Sequence, residues 1–393
     1  MSGNIYDFIA ALLVTSIVFT TAVFAIPRIV YVNILAVDQQ QLRNTGTEVF
    51  NVMLLETGYP SDWGSVLNSN YQFDQNVVSR FGLASSEDSS FYILDPEKVQ
   101  RLVTDDPVGS ISYNKVRSLL GIEDYGFTLR IIPPFNATLM KDKFEMNANS
   151  LNLEFNVKVS YNDERPIAGA TVESTIIYMT QSGSTARLYA AKHQESTDPV
   201  GLCNIEQLIN AQSGETMTSA IAVFKVTVAD LASITLTYQS VPPNNVAEIN
   251  IVGDEVFLSI PDEPPSPPNN ARWIDYVILF DENTFSFLHN GTRSKDDLIN
   301  YGKGSPFKIW NKNFPGLHFS DQAFLLFSFW TVLPGGGRTS VLIAGPNPNW
   351  LGSRILQYGD AAGPRGGAST LKLQRSVFIS GMTYIAELTF WKE

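Results

Sequence analysis

The side chains able to do chemistry are few and scattered. Three histidines, His193, His289 and His318, stand too far apart to share a zinc motif, whose ligands sit a few residues from one another. Each reads as a surface or structural residue. The single cysteine, Cys203, lies in Val200-Gly201-Leu202-Cys203-Asn204-Ile205 with no His or Lys beside it to favour the thiolate, so it reads as a small buried hydrophobe. The acidic pairs Glu87-Asp88, Asp105-Asp106, Glu123-Asp124 and Asp296-Asp297 lack the alternating carboxylates of a calcium loop. Two of them could serve a glycosidase only if the fold brought them across a cleft. Leu333-Pro334-Gly335-Gly336-Gly337-Arg338 is glycine-rich, but Thr339 to Ile343 after it reads as a strand, so it is a hairpin loop rather than a phosphate cradle. The sequence holds no nucleophile elbow, phosphate loop or dinucleotide fingerprint. The expectation is no catalytic residue, no metal and no cofactor, hence not an enzyme.

What remains are contact residues. Of the aromatic residues in the last third of the chain, Trp310 in Lys308-Ile309-Trp310-Asn311-Lys312 and Trp350 in Asn347-Pro348-Asn349-Trp350 have polar or turn-rich surroundings. They are the candidates for exposed rings that meet glycans or partner surfaces. Asn136-Ala137-Thr138 and Asn290-Gly291-Thr292 are acceptor sequons for glycosylation at Asn136 and Asn290.

Composition narrows the class of protein. Apolar residues make up 44% and charged residues 17%, which excludes disorder. The net charge is −12 and Lys/Arg clusters are missing, which excludes a nucleic-acid partner. Residues 1 to 268 carry 15 basic against 30 acidic side chains (net −15), and residues 269 to 393 carry 12 against 9 (net +3). Opposite patches of this kind steer copies of a chain together. With one cysteine, no internal disulfide can form, so packing alone must hold the body.

The elements that position these residues are legible in part. From Phe8 to Ile26, 19 residues carry no formal charge, bracketed by Asp7 and Arg28. That predicts a transmembrane helix, which needs about 20 apolar residues. Leu35, Leu42 and Val49 continue an apolar seam, so one helix is expected from about Ile5 to Glu56, with Gly58-Tyr59-Pro60 ending it. Asp95 before Pro96 predicts a short helix through Leu102, and Ser112 to Leu120 a second, closed by Gly121. Leu151 to Tyr161 alternates apolar and polar without an error, the pattern of a half-buried strand. Gly253-Asp254 joins two apolar runs as a hairpin. Pro261 to Pro268 holds five prolines in eight residues and predicts an extended spacer. Ala323 to Leu333 is too short to span a bilayer and predicts a central strand buried on both faces.

Some of these segments resemble known families. The N-terminal apolar helix with its Ala25-Ile26-Pro27 step and polar-faced continuation resembles the stalk helix of type IV pilin-like proteins, particularly archaeal ones. Gly58-Tyr59-Pro60-Ser61-Asp62-Trp63-Gly64, Phe81-Gly82-Leu83-Ala84 and Tyr92 to Val99 resemble a recurrent stretch of archaeal membrane-anchored surface proteins, so the resemblance covers residues 1 to 132. Residues 142 to 241 resemble the Ig-like sandwich modules of microbial surface proteins.

The fold class expected is α+β, mainly β: a transmembrane and stalk helix (1–56), a small mixed α/β module (57–141), an Ig-like β-sandwich (142–245) and a C-terminal β-sandwich (246–393, with the spacer at 261–268). The function expected is a non-enzymatic, membrane-anchored cell-surface structural or adhesive protein, as a pilin-like filament or envelope-complex subunit. The alternative is a membrane-anchored ectoenzyme or lectin-like glycan binder. The expected partners are the lipid bilayer through residues 8–26, further copies or other envelope proteins, and glycans. The expected location is the cell membrane, single-pass, with the body outside.

Overall fold

The computed structural model describes residues 3–68, 72–86, 92–104, 108–182, 185–229, 231–239, 248–252, 254–261, 272–281, 284–291, 297, 300–301, 307–315, 324–332, 338–345, 355–360, 363, 369–379 and 382–393. The alternating segment noted above becomes strand β4 (Ser150–Ser160), which pairs antiparallel with β3 (Asn136–Met146) and β7 (Leu202–Asn210). Facing it is a four-stranded sheet of β5 (Thr171–Ser182), β6 (Thr185–Ser196), β8 (Thr216–Val228) and β9 (Leu231–Gln239), in the order β6-β5-β8-β9. Leu151, Leu153, Phe155, Val157 and Val159 point inward and meet Val172, Ile176, Ala222, Phe224 and Val226. The Phe155 and Phe224 rings lie edge to face at 4.8 Å. The second strand pairs with the fifth and the third with the sixth, the crossed pairing of immunoglobulin-type sandwiches, while the fourth strand lies in the opposite sheet.

A second sandwich follows. β10 (Glu248–Val252), β11 (Glu255–Pro261), β14 (Asn300–Tyr301) and β15 (Phe307–Asn313) form one sheet in the order β10-β11-β15-β14. Val252 opposite Glu255 confirms the two-residue hairpin. The other sheet is β13-β12-β16-β17, from β12 (Arg272–Asp281), β13 (Thr284–Asn290), β16 (Phe324–Val332) and β17 (Arg338–Gly345). Val256, Leu258, Ile274, Val277, Leu325 and Phe327 fill the space between the sheets.

The two sandwiches stack on each other. Ile177 and Ile221 leave the far face of their sheet to meet Ile278, Phe280 and Leu326 of the next. Four sheets therefore lie in sequence, and the two middle ones are buried on both faces. This accounts for the unbroken apolar run in β16, where Leu325, Leu326, Phe327 and Ser328 are all fully buried.

A fifth sheet, β1-β19-β20-β2-β18, is built from β1 (Ile93–Leu94), β2 (Tyr125–Ile132), β18 (Leu356–Gly359), β19 (Thr370–Ile379) and β20 (Met382–Lys392). Helix α1 (Gly3–Leu55) lays its last turns on this sheet: Leu42, Val49, Phe50, Met53 and Leu54 join Phe127, Leu129, Leu388 and Phe390 in one core. Gly46 lies on the same helix face, and a Cβ there would stand 2.6 Å from Leu371 Cδ2, so a larger residue would require the Leu371 side chain to shift. Asp95 caps α2 (Pro96–Gln100) by accepting from the backbone of Glu97 at 2.9 Å. Gly121, at φ +64°, ends α3 (Tyr113–Leu120). Trp63 is fully buried and donates to the Gly82 carbonyl at 2.8 Å. At Gly82 a Cβ would sit 2.1 Å from the Glu56 carbonyl oxygen. The glycine and tryptophan segments of the N-terminal resemblance thus have packing reasons of their own.

Three expectations need correction. Among the described residues no helix is long and apolar enough to cross a membrane, so the transmembrane anchor, the bilayer contact at 8–26 and the single-pass location are withdrawn. Second, α1 does not stand apart from the body as a stalk module, because its last turns supply core to the fifth sheet. Third, residues 246–393 do not fold as one unit, since β18 and β20 flank β2 and complete its sheet. The chain is mostly β, and the expected α+β class with a transmembrane/stalk helix does not hold. Residues 262–268 of the spacer lie outside the described residues.

Leu326 fills the contact between the two sandwiches, where no water can replace it. Leu326→Ala is expected to cost about 2–5 kcal/mol, read as a lower urea midpoint at unchanged slope. A loss under about 0.5 kcal/mol, the size of an ordinary surface change, would mean the stacked faces contribute little.

Candidate functional site

Two features stand out from the packed body. The first is the exposed part of α1. Ile9, Leu12, Leu13, Val14, Ile17, Val18 and Phe19 are all more than half exposed, Phe19 at 70%. The polar residues among them do not demand water: Thr15, Thr20 and Thr21 donate their hydroxyls to the carbonyls of Ala11, Ser16 and Ile17, at 2.8, 2.7 and 2.6 Å. Backbone oxygens satisfy these hydroxyls, so the threonine methyls add to the apolar surface. Covering seven such side chains is worth roughly 10 kcal/mol, at about 1.5 kcal/mol each. Further along, Arg43, Thr47, Asn51 and Leu55 line an open groove of about 610 Å³. It gathers no set of groups suited to chemistry.

The second feature is a chain of titratable groups between the sheets of the second sandwich. His289, on edge strand β13, donates or accepts through Nε2 at 2.8 Å from Asp297 Oδ1, and Lys312 of β15 lies with Nζ 2.7 Å from His289 Nδ1. Asp297 is buried at 1% exposure, and with its Oδ1 accepting, the imidazole proton lies on Nε2. His289 Nδ1 is then the acceptor for the Lys312 ammonium. The Trp310 ring packs 5.8 Å from the imidazole and edge-on to Phe327. β13 is the edge of one sheet and β15 an inner strand of the other, so these contacts tie the two sheets of the sandwich together.

The sequence candidates fare unevenly. Trp310 is buried at 3% exposure and is no surface contact, because strand β15 turns it into the core while its neighbours Asn311 and Lys312 carry the polarity. Trp350, His318 and Thr292 lie outside the described residues. Asn136 is half-buried at the start of β3, opposite Ser160, whereas Asn290 is exposed at the end of β13. His193 lies 3.3 Å from Glu195 on a partly exposed face. Among the described residues no three His, Cys, Asp or Glu side chains are grouped to hold a metal. The pair Asp296-Asp297 was the closest sequence signal for the His289 cluster, but it pointed to a carboxylate pair. The partner that matters, His289, is supplied by another segment.

Other buried carboxylates serve the fold. Glu215 accepts from Thr180 at 2.6 Å, Arg187 at 2.8 Å and Tyr189 at 3.1 Å. The Thr180 hydroxyl above all, with Tyr189 and Arg187, holds its carboxyl below the ordinary value of 4.5 against the opposing effect of burial. Burial alone would raise Glu387, but hydrogen bonds from Lys372 and Gln374, with the charges of Lys372 and Arg130, bring it lower. Burial pushes the Cys203 thiol up to about 11, aided by Glu195 and Asp198.

Two expected outcomes follow from these environments. A carboxylate held low contributes stability that is present above its ordinary value and lost as pH falls through its folded value. Glu215→Gln should therefore lower Tm at neutral pH and flatten the decline below about pH 4.5; a parallel decline in both proteins would contradict this. At pH 8 iodoacetamide should alkylate native Cys203 about tenfold or more slowly than the unfolded chain, and equal rates would show the thiol is not shielded.

No protein-family model matches the chain, and no curated protein matches it. The pilin-like and archaeal resemblance, with the membrane and cell-surface terms attached to it, gains no support. Among solved structures, trypsin-activated alpha-2-macroglobulin from Escherichia coli is 12% identical over 62% of this chain and 19% of its own, with a TM-score of 0.21. Red sea bream transglutaminase is 9% identical over 58% of this chain and 33% of its own, with a TM-score of 0.20. The chain spans a third or less of these structures, and likeness at this level carries no argument about fold or activity.

Proposed function

We propose that this chain is a non-enzymatic structural and adhesive protein that self-associates through α1 and presents its stacked β body as the contact-making part. The observation that carries the reading is the uncovered apolar surface of α1 from Ile9 to Phe19. A helix apolar on all sides needs an apolar partner. The roughly 10 kcal/mol available from covering it lies within the 4–15 kcal/mol range for the cost of bringing two molecules together. A bundle of several helices covers more of each surface than a pair and tips the balance further. A second copy is the occupant favoured by the charge of the chain, because its acidic first two-thirds and weakly basic last third attract one another between copies. The glycan-binding alternative loses support, since Trp310, one of its two candidate rings, is buried.

The test is sedimentation velocity of the full chain in detergent-free buffer at micromolar concentration, beside the double variant Leu13→Asp, Ile17→Asp. The wild type should sediment as a defined oligomer and the variant as a monomer with unchanged Tm. A monomeric wild type would overturn the reading.

A further inference from the structure

We propose that the Asp297, His289 and Lys312 chain makes Lys312 a reactive amine, able to take an acyl group from an ester. The geometry is that of an activated nucleophile: a nucleophilic atom in hydrogen-bond contact with a base, and the base oriented by a third group. Lys312 Nζ is 2.7 Å from His289 Nδ1, and His289 Nε2 is 2.8 Å from the buried Asp297 carboxylate. Asp297 fixes the ring tautomer that leaves Nδ1 as the acceptor, and its negative charge stabilises the imidazolium formed when Nδ1 takes a proton. Trp310 backs the imidazole and holds its plane. Lys312 itself is half-buried rather than sealed, so a small ester can reach it.

The step balances without a cofactor. The Lys312 ammonium gives up a proton to solvent, and the amine lone pair attacks the ester carbonyl carbon, forming the N–C bond. His289 Nδ1 removes a proton from the bonded nitrogen. The C–O bond to the alcohol breaks, and the proton passes from His289 to the departing alkoxide. The products are an amide on Lys312 and a free alcohol. Asp297 does not touch the reacting atoms and acts as a positioning residue. The acyl donor is identified only by class, an ester with an accessible carbonyl. An ester on a second copy would turn the same step into a covalent crosslink.

The probe is p-nitrophenyl acetate with the full chain at neutral pH, and acetylation of each lysine is followed by peptide mass mapping. Lys372 and Lys392, both with side chains 60% exposed, serve as internal references. Lys312 should be acetylated about tenfold or more faster than either, a threshold set below the roughly hundredfold that a positioned base contributes at the low end. In His289→Ala the Lys312 rate should fall to the reference rate or below, although removing the ring opens access to the amine. Asp297→Asn should also slow it. Equal or slower acetylation of Lys312 than of Lys372 and Lys392 in the wild type would overturn the proposal without reliance on any variant. So would faster acetylation in His289→Ala, the result expected if the ring only shields the lysine. Because the site lies far along the chain from α1, repeating the assay in the Leu13→Asp, Ile17→Asp protein separates failure here from failure of self-association.

Discussion

Apolar surface has to be covered, and the chain covers it by stacking sheets. A single sandwich buries only its inner faces. Here Ile177 and Ile221 on one outer face meet Ile278, Phe280 and Leu326 on another, so two sandwiches share a third layer of core. The same demand brings β18, β19 and β20 back to β2 across more than 200 residues, because the sheet under α1 has no other strands to complete it. Such long-range pairing makes folding slow, since loop closure must precede most of the stabilising contacts. From Ile9 to Phe19, α1 leaves seven large apolar side chains open. A cover supplied by further copies is the basis of the proposal that the protein self-associates.

Two buried carboxylates are handled by pairing. Glu215 and Glu387 each collect several donors, so their burial brings no unsatisfied carboxylate oxygen to the interior. The His289 chain follows the same rule in joining two sheets. It differs in ending on a half-buried amine, which places a nucleophile where a purely structural clamp would need none.

The sequence showed what local pattern can show. The odd-numbered apolar residues from Leu151 to Val159 foretold one buried face, Asp95 and Gly121 foretold the ends of α2 and α3, and the solid run at 323–333 foretold a strand covered on both sides. What local pattern cannot show is which strands meet. The alternation of β20 is the same whether it pairs within a C-terminal unit or with β2, and so the module boundary at 246 was misplaced. Trp310 was misread because polar residues nearby in sequence do not say what covers the ring: Asn311 takes the opposite face of the strand, and Lys312, on the same face as Trp310, reaches to His289. The His289 site was illegible for a similar reason, as residues 289, 297 and 312 come together only when two sheets face each other. The apolar helix read as a membrane span because hydropathy reports a need for cover without naming what supplies it.

The most direct test of the account is the distance between α1 helices of different copies. A nitroxide label at Ser16→Cys, with native Cys203 buried and unlabelled, reports it by dipolar spectroscopy on the full chain. Packed helices have axes about 8–10 Å apart, so the account predicts strong intermolecular coupling at a separation of roughly 20 Å or less. A spectrum with no intermolecular coupling, unchanged on dilution with unlabelled protein, would contradict it.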